Sequence, residues 1–213
     1  DSSGKWIDNF DLKIRNLKYE EISKYSIENL KPGSGYADRF KNQKSAKGAK
    51  IPKLVDLFKL VTEEKNKDVF LNLEVKSNPE KKDVTPEPEE MVSIILKDIK
   101  SFNLEDRIVI TSFDWRILYE FKKQNPNILR GFLTLQQNLG STKKNIYENS
   151  PWMEKQFPLE DLFLVPKIIK SLEGHVWSVF YRDVTKKNIE LAHELGLAVN
   201  VWTVNRESDI IRM

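Results

Sequence analysis

"VFLNLEVKSNP", residues 69–79, decides how the rest of the chain is read. As a strand it turns Leu71, Leu73 and Val75 to one face and Asn72, Glu74 and Lys76 to the other, because successive side chains alternate across the sheet. A central strand normally covers at least one face with apolar residues, and this one does. Its second face carries an amide, a carboxylate and an ammonium in succession, which leaves open whether a structural ion pair or a functional site lies opposite them.

Four further strands follow the same plan, beginning near Arg107, Ile128, His175 and Leu197. Helical stretches separate them: "MVSIILKDIKSF", "WRILYEFKKQ", "LEDLFLVPKIIKSL" and "TKKNIELAHELG". Alternation of strands and helices marks repeated βα units in a parallel sheet. Either a doubly wound sheet or a (β/α)8 barrel fits the alternation, and the placement of polar residues separates them. They gather at the strand C-termini: Glu74 and Lys76, Ser112 and Phe113, Thr134, Arg182 and Asp183, then Trp202 and Asn205. Several strands feeding one C-terminal face is the barrel arrangement. The glycine-rich phosphate turn of the dinucleotide folds is absent.

The helix before the first strand reads as "IPKLVDLFKLVTEEKN", with Pro52 in its first turn, where a missing N–H costs nothing. After that strand, Thr85 followed by Pro86 and Glu87 reads as a helix start, and Met91, Val92, Ile95, Ile99 and Phe102 form the buried stripe. Residues 1–50 are polar and turn-rich, with a short helix near Leu17 to Tyr25. Residues 136–173 form a longer insertion that includes "SPWMEKQFP".

Composition narrows the partners. With 35 Lys plus Arg against 32 Asp plus Glu, the net charge of +3 is too balanced for a nucleic-acid surface. No apolar run reaches the 18 residues that stable membrane insertion needs. The absence of cysteine removes disulfides, thiolate zinc sites and thiol nucleophiles. A chain of 213 residues with 39% apolar residues can bury the core of one large domain, 1–213.

A carboxylate inside a barrel must be paired or bind a cation, since an isolated buried charge costs several kcal/mol, on the order of the desolvation penalty of an ion. For Glu74, both a salt bridge to Lys76 and a metal ion satisfy that demand. A third chemistry, Lys76 as a Schiff-base nucleophile, is opposed by a neighbouring carboxylate that holds its ammonium charged. Of the two histidines, His193 lies near a helix C-terminus, where the dipole favours an imidazolium, and His175 opens a strand at the end away from a barrel's site. Both read as structural. Trp152 and Trp177 read as insertion-packing and core residues, and lysine runs such as Lys81–Lys82 and Lys143–Lys144 as solvated loop charges.

"IPKLVDLFKLV", "LNLEVKSNP", "RIVITSFDWRIL", "GFLTL" and "AHELGLAVNVWTVN" occur in this order over nearly the whole chain. In that order and spacing the sequence resembles the glycerophosphodiester phosphodiesterase family, a barrel fold. "KPGSGYADRFKNQ", "VTPEPEE", "SPW" and "VWSVFYRDVT" look like a bacterial branch whose members are often exported, which implies a periplasmic or otherwise exported location, with a cytoplasmic one as the alternative.

The resemblance implies hydrolysis of a glycerophosphodiester to sn-glycerol 3-phosphate and an alcohol, with one divalent ion, Ca or Mg. Glu74 then matches a metal ligand, Lys76 the lysine that neutralises the phosphate, and Phe113 and Trp202 the apolar contacts of the glycerol side. Ser112 and Asn205 belong to the same motifs without an assigned role. The family's His-Arg-Gly strand end, Glu-x-Asp metal pair and second histidine have no counterpart here, nor does its eighth strand. The expectation is therefore strands 3 to 7 of an eight-stranded barrel, an inactive fragment. The alternative is a noncatalytic relative that binds glycerophosphodiesters or lipids.

Overall fold

The structure is a computed structural model that describes residues 1, 3–7, 12–140, 142–153 and 164–213. The chain divides into two units, Asp1–Glu63 and Glu64–Met213.

Among its described residues the first unit holds three short α-helices, α1 (Tyr19–Ile22), α2 (Gly35–Arg39) and α3 (Leu54–Val61). Helix α1 is shorter than the stretch from Leu17 to Tyr25 suggested by sequence. The Ser34 hydroxyl caps α2 by accepting from the Ala37 N–H at 3.2 Å, and the Glu28 carboxylate accepts from the Gly48 N–H at 2.6 Å. Helix α3 starts later than expected: Lys53 is its N-cap, with its N–H donating to Asp56 at 3.0 Å, which leaves Pro52 outside the helix. Phe58 and Val61 are its buried positions.

The second unit carries five parallel strands, β1 (Leu71–Glu74), β2 (Ile108–Ser112), β3 (Leu129–Thr134), β4 (Val176–Phe180) and β5 (Ala198–Trp202), in the spatial order β1-β2-β3-β4-β5. Between them run α4 (Pro88–Ser101), α5 (Trp115–Gln124), α6 (Val165–Ser171) and α7 (Lys186–Glu194), and α8 (Glu207–Arg212) follows β5. Spatial order equal to chain order, with no reversal, is the pattern of a barrel wall; a doubly wound sheet reverses at its switch point. The fold is thus α/β and TIM-barrel-like. The reading of these strands as 3 to 7 of an eight-stranded barrel is corrected: the described residues form a five-stranded parallel sheet. The count of eight came from the resemblance and not from any strand pattern in these residues.

Local chemistry explains the boundaries. Helix α4 begins at Pro88, with Glu87 as N-cap, rather than at Thr85 and Pro86. In "TPEP" the residue before a proline is driven out of the helical region, so Glu87 stays extended and the helix starts at the second proline. Its buried positions are Val92, Leu96 and Ile99. Helix α5 is capped by Asp114, and α7 by a reciprocal box in which the Asn188 N–H donates to Thr185 Oγ1 at 3.2 Å and the Thr185 N–H donates to Asn188 Oδ1 at 2.8 Å. Part of "LEDLFLVPKIIKSL", residues 159–163, lies outside the described residues, and α6 accounts for its second half.

The core is one apolar layer between sheet and helices. Ile108, Ile110, Phe132, Trp177 and Val179 from the strands join Leu96, Ile99, Ile117, Leu118 and Phe121 from the helices. Trp177 is core, as expected, and its indole N–H donates to Thr134 Oγ1 at 2.9 Å. That bond takes Thr134 out of the set of residues available at the C-terminal face.

Candidate active site

The other face of the sheet opens into a basin of about 1310 Å³. Strand register builds its floor: Glu74 lies beside Thr111, Thr111 beside Gly131, Leu133 beside Ser178, and Ser178 beside Asn200. Asn72, Glu74, Thr111, Leu133, Ser178, Asn200 and Trp202 therefore share one face by strand alternation. Gly131 has a specific reason to lack a side chain, because a Cβ there would meet Thr111 Cγ2 at 2.6 Å and Ser178 Oγ at 3.4 Å.

Glu74, Lys76, Phe113 and Trp202 all line this basin. The Lys76 ammonium donates to the Glu74 carboxylate, so the pairing expected as one of two solutions is present. With Lys76 76% and Glu74 34% exposed, the pair is worth no more than about 1 kcal/mol of stability. Such a pair places a movable positive charge at the rim and does little to hold the fold.

The loop that carries Lys76 is fixed from behind. Ser112 Oγ donates to the Val75 carbonyl at 2.7 Å and accepts from the Asp114 N–H at 3.1 Å. Ser77 Oγ donates to Asp114 Oδ2 at 2.7 Å, and Arg116 donates to the same carboxylate through Nε at 2.9 Å and Nη2 at 2.7 Å. Val75 and Ser77 are thereby both tied to the end of β2, and Lys76 stands between them. This gives Ser112 a role its motif did not reveal. Asp114 was not singled out by sequence, although an Asp directly before the apolar pattern of α5 is an N-cap signal.

On the opposite side the Phe113 and Trp202 rings meet edge to face, with centroids 5.3 Å apart, and Phe180 approaches Trp202 at 5.2 Å. The Trp202 indole N–H donates to the Ser178 carbonyl at 3.2 Å. Asn145, buried, donates to the carbonyls of Phe113 at 3.0 Å and Leu133 at 2.9 Å, so the aromatic wall is anchored at both ends.

Other sequence candidates lie elsewhere. Arg182 and Asn205 do not line the basin. Asp183 also stands outside it and holds the loop after β3, accepting from the Gln136 N–H at 2.9 Å and from Gln137 Nε2 at 3.1 Å; burial pushes its carboxyl above the usual range. His175 accepts from the Arg130 N–H at 3.2 Å, and burial, with Arg130 and Lys170 nearby, lowers its pKa. Neither His175 nor His193 lines the basin. Trp152, read as packing, does line it.

Residues 2–213 match the model of the glycerophosphoryl diester phosphodiesterase family. The chain belongs to this family. It is 26% identical over 200 residues to a glycerophosphodiester phosphodiesterase of Caldanaerobacter subterraneus subsp. tengcongensis, covering 94% of this chain and 64% of that protein. A crystal structure of a candidate glycerophosphoryl diester phosphodiesterase from Silicibacter pomeroyi DSS-3 superposes with a TM-score of 0.81 at 29% identity, over 100% of this chain and 66% of that one. A glycerophosphodiester phosphodiesterase from Parabacteroides distasonis shares the fold, with a TM-score of 0.56 at 19% identity over 83% of this chain and 61% of that one. The chain thus spans about two thirds of the length of the relatives it matches.

The extent of the family match, residues 2–213, corrects the expectation of an inactive fragment lacking the N-terminal catalytic strands and the last strand. The match takes in the polar first fifty residues as well. Among the described residues no group of three or more His, Asp or Glu side chains has metal-holding geometry. Of the carboxylates at the basin, Asp114 is occupied by Arg116 and Ser77, which leaves Glu74 on β1 and Glu80 on the loop after it. A donor set this small fits an ion held by one or two carboxylates together with substrate phosphate oxygens and not a protein cage. No described helix is long and apolar enough to cross a membrane.

Proposed function

We propose that this protein hydrolyses glycerophosphodiesters to sn-glycerol 3-phosphate and an alcohol, with residues 1–213 acting as one catalytic domain. The single observation that carries the reading is the convergence, in one basin, of Glu74 and Lys76 from the end of β1 with the Phe113 and Trp202 pair from the ends of β2 and β5. A diester of glycerol needs both halves: charge for the phosphate and an apolar wall for the three-carbon skeleton.

Lys76 donates to a phosphate oxygen, exchanging its bond to Glu74 for one to the substrate, and its charge is worth most as negative charge builds on that oxygen in the transition state. The tether through Ser77 and Asp114 keeps the ammonium at the rim during this exchange. Phe113 and Trp202 orient the glycerol by contact and exclude water from one side of it. Glu74, released from Lys76, would hold a divalent ion, Ca or Mg, and Glu80 is the other carboxylate of the basin without a bond to Arg116. When bound, such an ion polarises phosphoryl oxygens as a Lewis acid. Membership in the family and the relatives' names support hydrolysis as the reaction.

A second reading, binding without turnover, is favoured by one observation: neither histidine lies at the basin, so no imidazole of this chain stands there as acid or base. The test assays glycerophosphocholine with Mg or Ca and again with chelator, following release of glycerol 3-phosphate, for wild type and Lys76→Ala. Chelator-sensitive release that falls in the variant supports hydrolysis. Saturable binding with no product supports the second reading. Export to the periplasm belongs to the first reading and is tested by fractionating cells that express the gene.

A further inference from the structure

Two buried polar atoms at the basin have no hydrogen-bond partner among the described residues: Ser178 Oγ and Trp152 Nε1. Several other polar groups of the same wall are paired. Thr111 Oγ1 donates to Asn72 Oδ1 at 3.0 Å, Asn145 bonds on both sides, and the Trp202 indole has its carbonyl. Buried donors left unpaired are rare and each asks for a reason.

Both atoms belong to residues that line the basin, and both residues are fixed in place. Ser178 is 2% exposed at the centre of β4, and its carbonyl holds Trp202. The Trp152 carbonyl accepts from the Trp115 N–H at 2.8 Å, two residues past Phe113. Each residue is thus tied to one part of the Phe113–Trp202 wall, Ser178 through the Trp202 indole and Trp152 through the chain just past Phe113, while the charged pair stands at the end of β1. The missing Cβ of Gly131 keeps the floor open beside Ser178 Oγ, since a methyl there would stand 3.4 Å from that oxygen.

We propose that Ser178 Oγ and Trp152 Nε1 donate hydrogen bonds to the hydroxyl oxygens of the glycerol moiety and set the specificity for a hydroxylated ester over its deoxy analogue. This rests on the reading of the basin as a glycerophosphodiester site. The indole N–H donates and cannot accept, so its partner must be an oxygen acceptor, and the serine hydroxyl rotates to donate beside it. The aromatic wall takes the carbon skeleton. A purely apolar alkyl ester would fill the same space and leave both donors unpaired, which is the situation in which hydrogen-bonding sites discriminate strongly.

Calorimetric titration of the protein with sn-glycerol 3-phosphate and with n-propyl phosphate tests this, because the second ligand keeps phosphate and three carbons but lacks both hydroxyls. Wild type is expected to prefer glycerol 3-phosphate by roughly 100-fold, and Ser178→Ala and Trp152→Phe each to cut that preference about tenfold, with propyl phosphate affinity unchanged within about twofold. Unchanged propyl phosphate binding also reports that each variant is folded. Equal affinity of wild type for the two ligands, or equal loss of both in the variants, overturns the proposal while leaving the phosphodiester reading intact. If wild type binds neither ligand and releases no product from glycerophosphocholine, the function reading fails and takes this inference with it.

Discussion

Replacing Asp114 by Asn probes the device that positions Lys76. The Asp114 side chain is fully buried and accepts from Ser77 and twice from Arg116, while also capping α5 through the Arg116 N–H at 3.2 Å. Breaking a buried ion pair by neutralising one partner costs about 3–5 kcal/mol when the other charge is left in a dry site. Arg116 is 29% exposed, so water recovers part of that, and Asn keeps one oxygen for Ser77 or for the cap. The expected loss is therefore about 2–3 kcal/mol, at and just below the bottom of the buried-pair range. For a chain of this size that corresponds to a fall in Tm of roughly 4–12 °C. Urea unfolding at pH 7 should show a lower midpoint at unchanged slope, since no large change in exposed surface is involved. Removing the exposed pair Lys186–Glu190, whose atoms stand 3.8 Å apart with side chains 90% and 58% exposed, should leave the midpoint unmoved. The variant should also weaken glycerol 3-phosphate binding, because the β1 end loses its anchor at Ser77. A stability loss below about 0.5 kcal/mol, the scale of an ordinary surface substitution, would refute the claim that this cluster fixes the loop.

Lys76→Ala should lower kcat on glycerophosphocholine by roughly 100-fold while raising KM less, as expected for a charge that acts mainly in the transition state; an equal kcat would remove Lys76 from the mechanism. Gly131→Ala forces a methyl against Thr111 Cγ2 at 2.6 Å and should cost about 1–3 kcal/mol in denaturant unfolding, with less loss in a Thr111→Ser background, which removes that methyl. The Asp183 pKa is raised by burial, so the folded protein retains a proton longer than the unfolded chain, and this group's contribution falls as pH rises from the ordinary Asp range through the folded pKa. Asp183→Asn should remove that decline, and parallel pH–stability curves for variant and wild type across the window would contradict it. The His175 pKa is lowered, chiefly by burial, so its contribution is full above about 6.5, the unfolded value, and is lost as pH falls through the folded pKa. His175→Asn should flatten the stability curve below neutrality, as read by urea midpoints at a series of pH values.

The strands were legible because each carries its own signal. "RIVITS" and "HVWSVF" are short apolar runs bounded by turns, and the structure places β2 at Ile108–Ser112 and β4 at Val176–Phe180. The Asn72, Glu74, Lys76 face was legible by alternation alone, and it does face the basin. Three features were not, each for a different physical reason. The start of α4 turned on two prolines in competition, and the penalty on the residue preceding Pro88 outweighed a good cap at Thr85. Asp114 was overlooked because its worth lies in Ser77 and Arg116 converging on one buried carboxylate, and a pairing between residues 37 apart leaves no local spacing to read. Ser178 was hidden by the opposite effect. Inside "VWSVF" it looks like a small residue tolerated in a core strand, and alternation places it with Val176 and Phe180. Its exceptional character lies only in the register beside Leu133 and Asn200 and in the lack of a side chain at Gly131, which together leave its hydroxyl buried, unpaired and facing the basin. Alternation therefore reports which face a residue occupies, while the chemistry of that face depends on which residues neighbouring strands bring beside it. That is why Glu74 and Lys76, adjacent on one strand, could be read as a pair from the sequence, and why the donors offered to the glycerol could not.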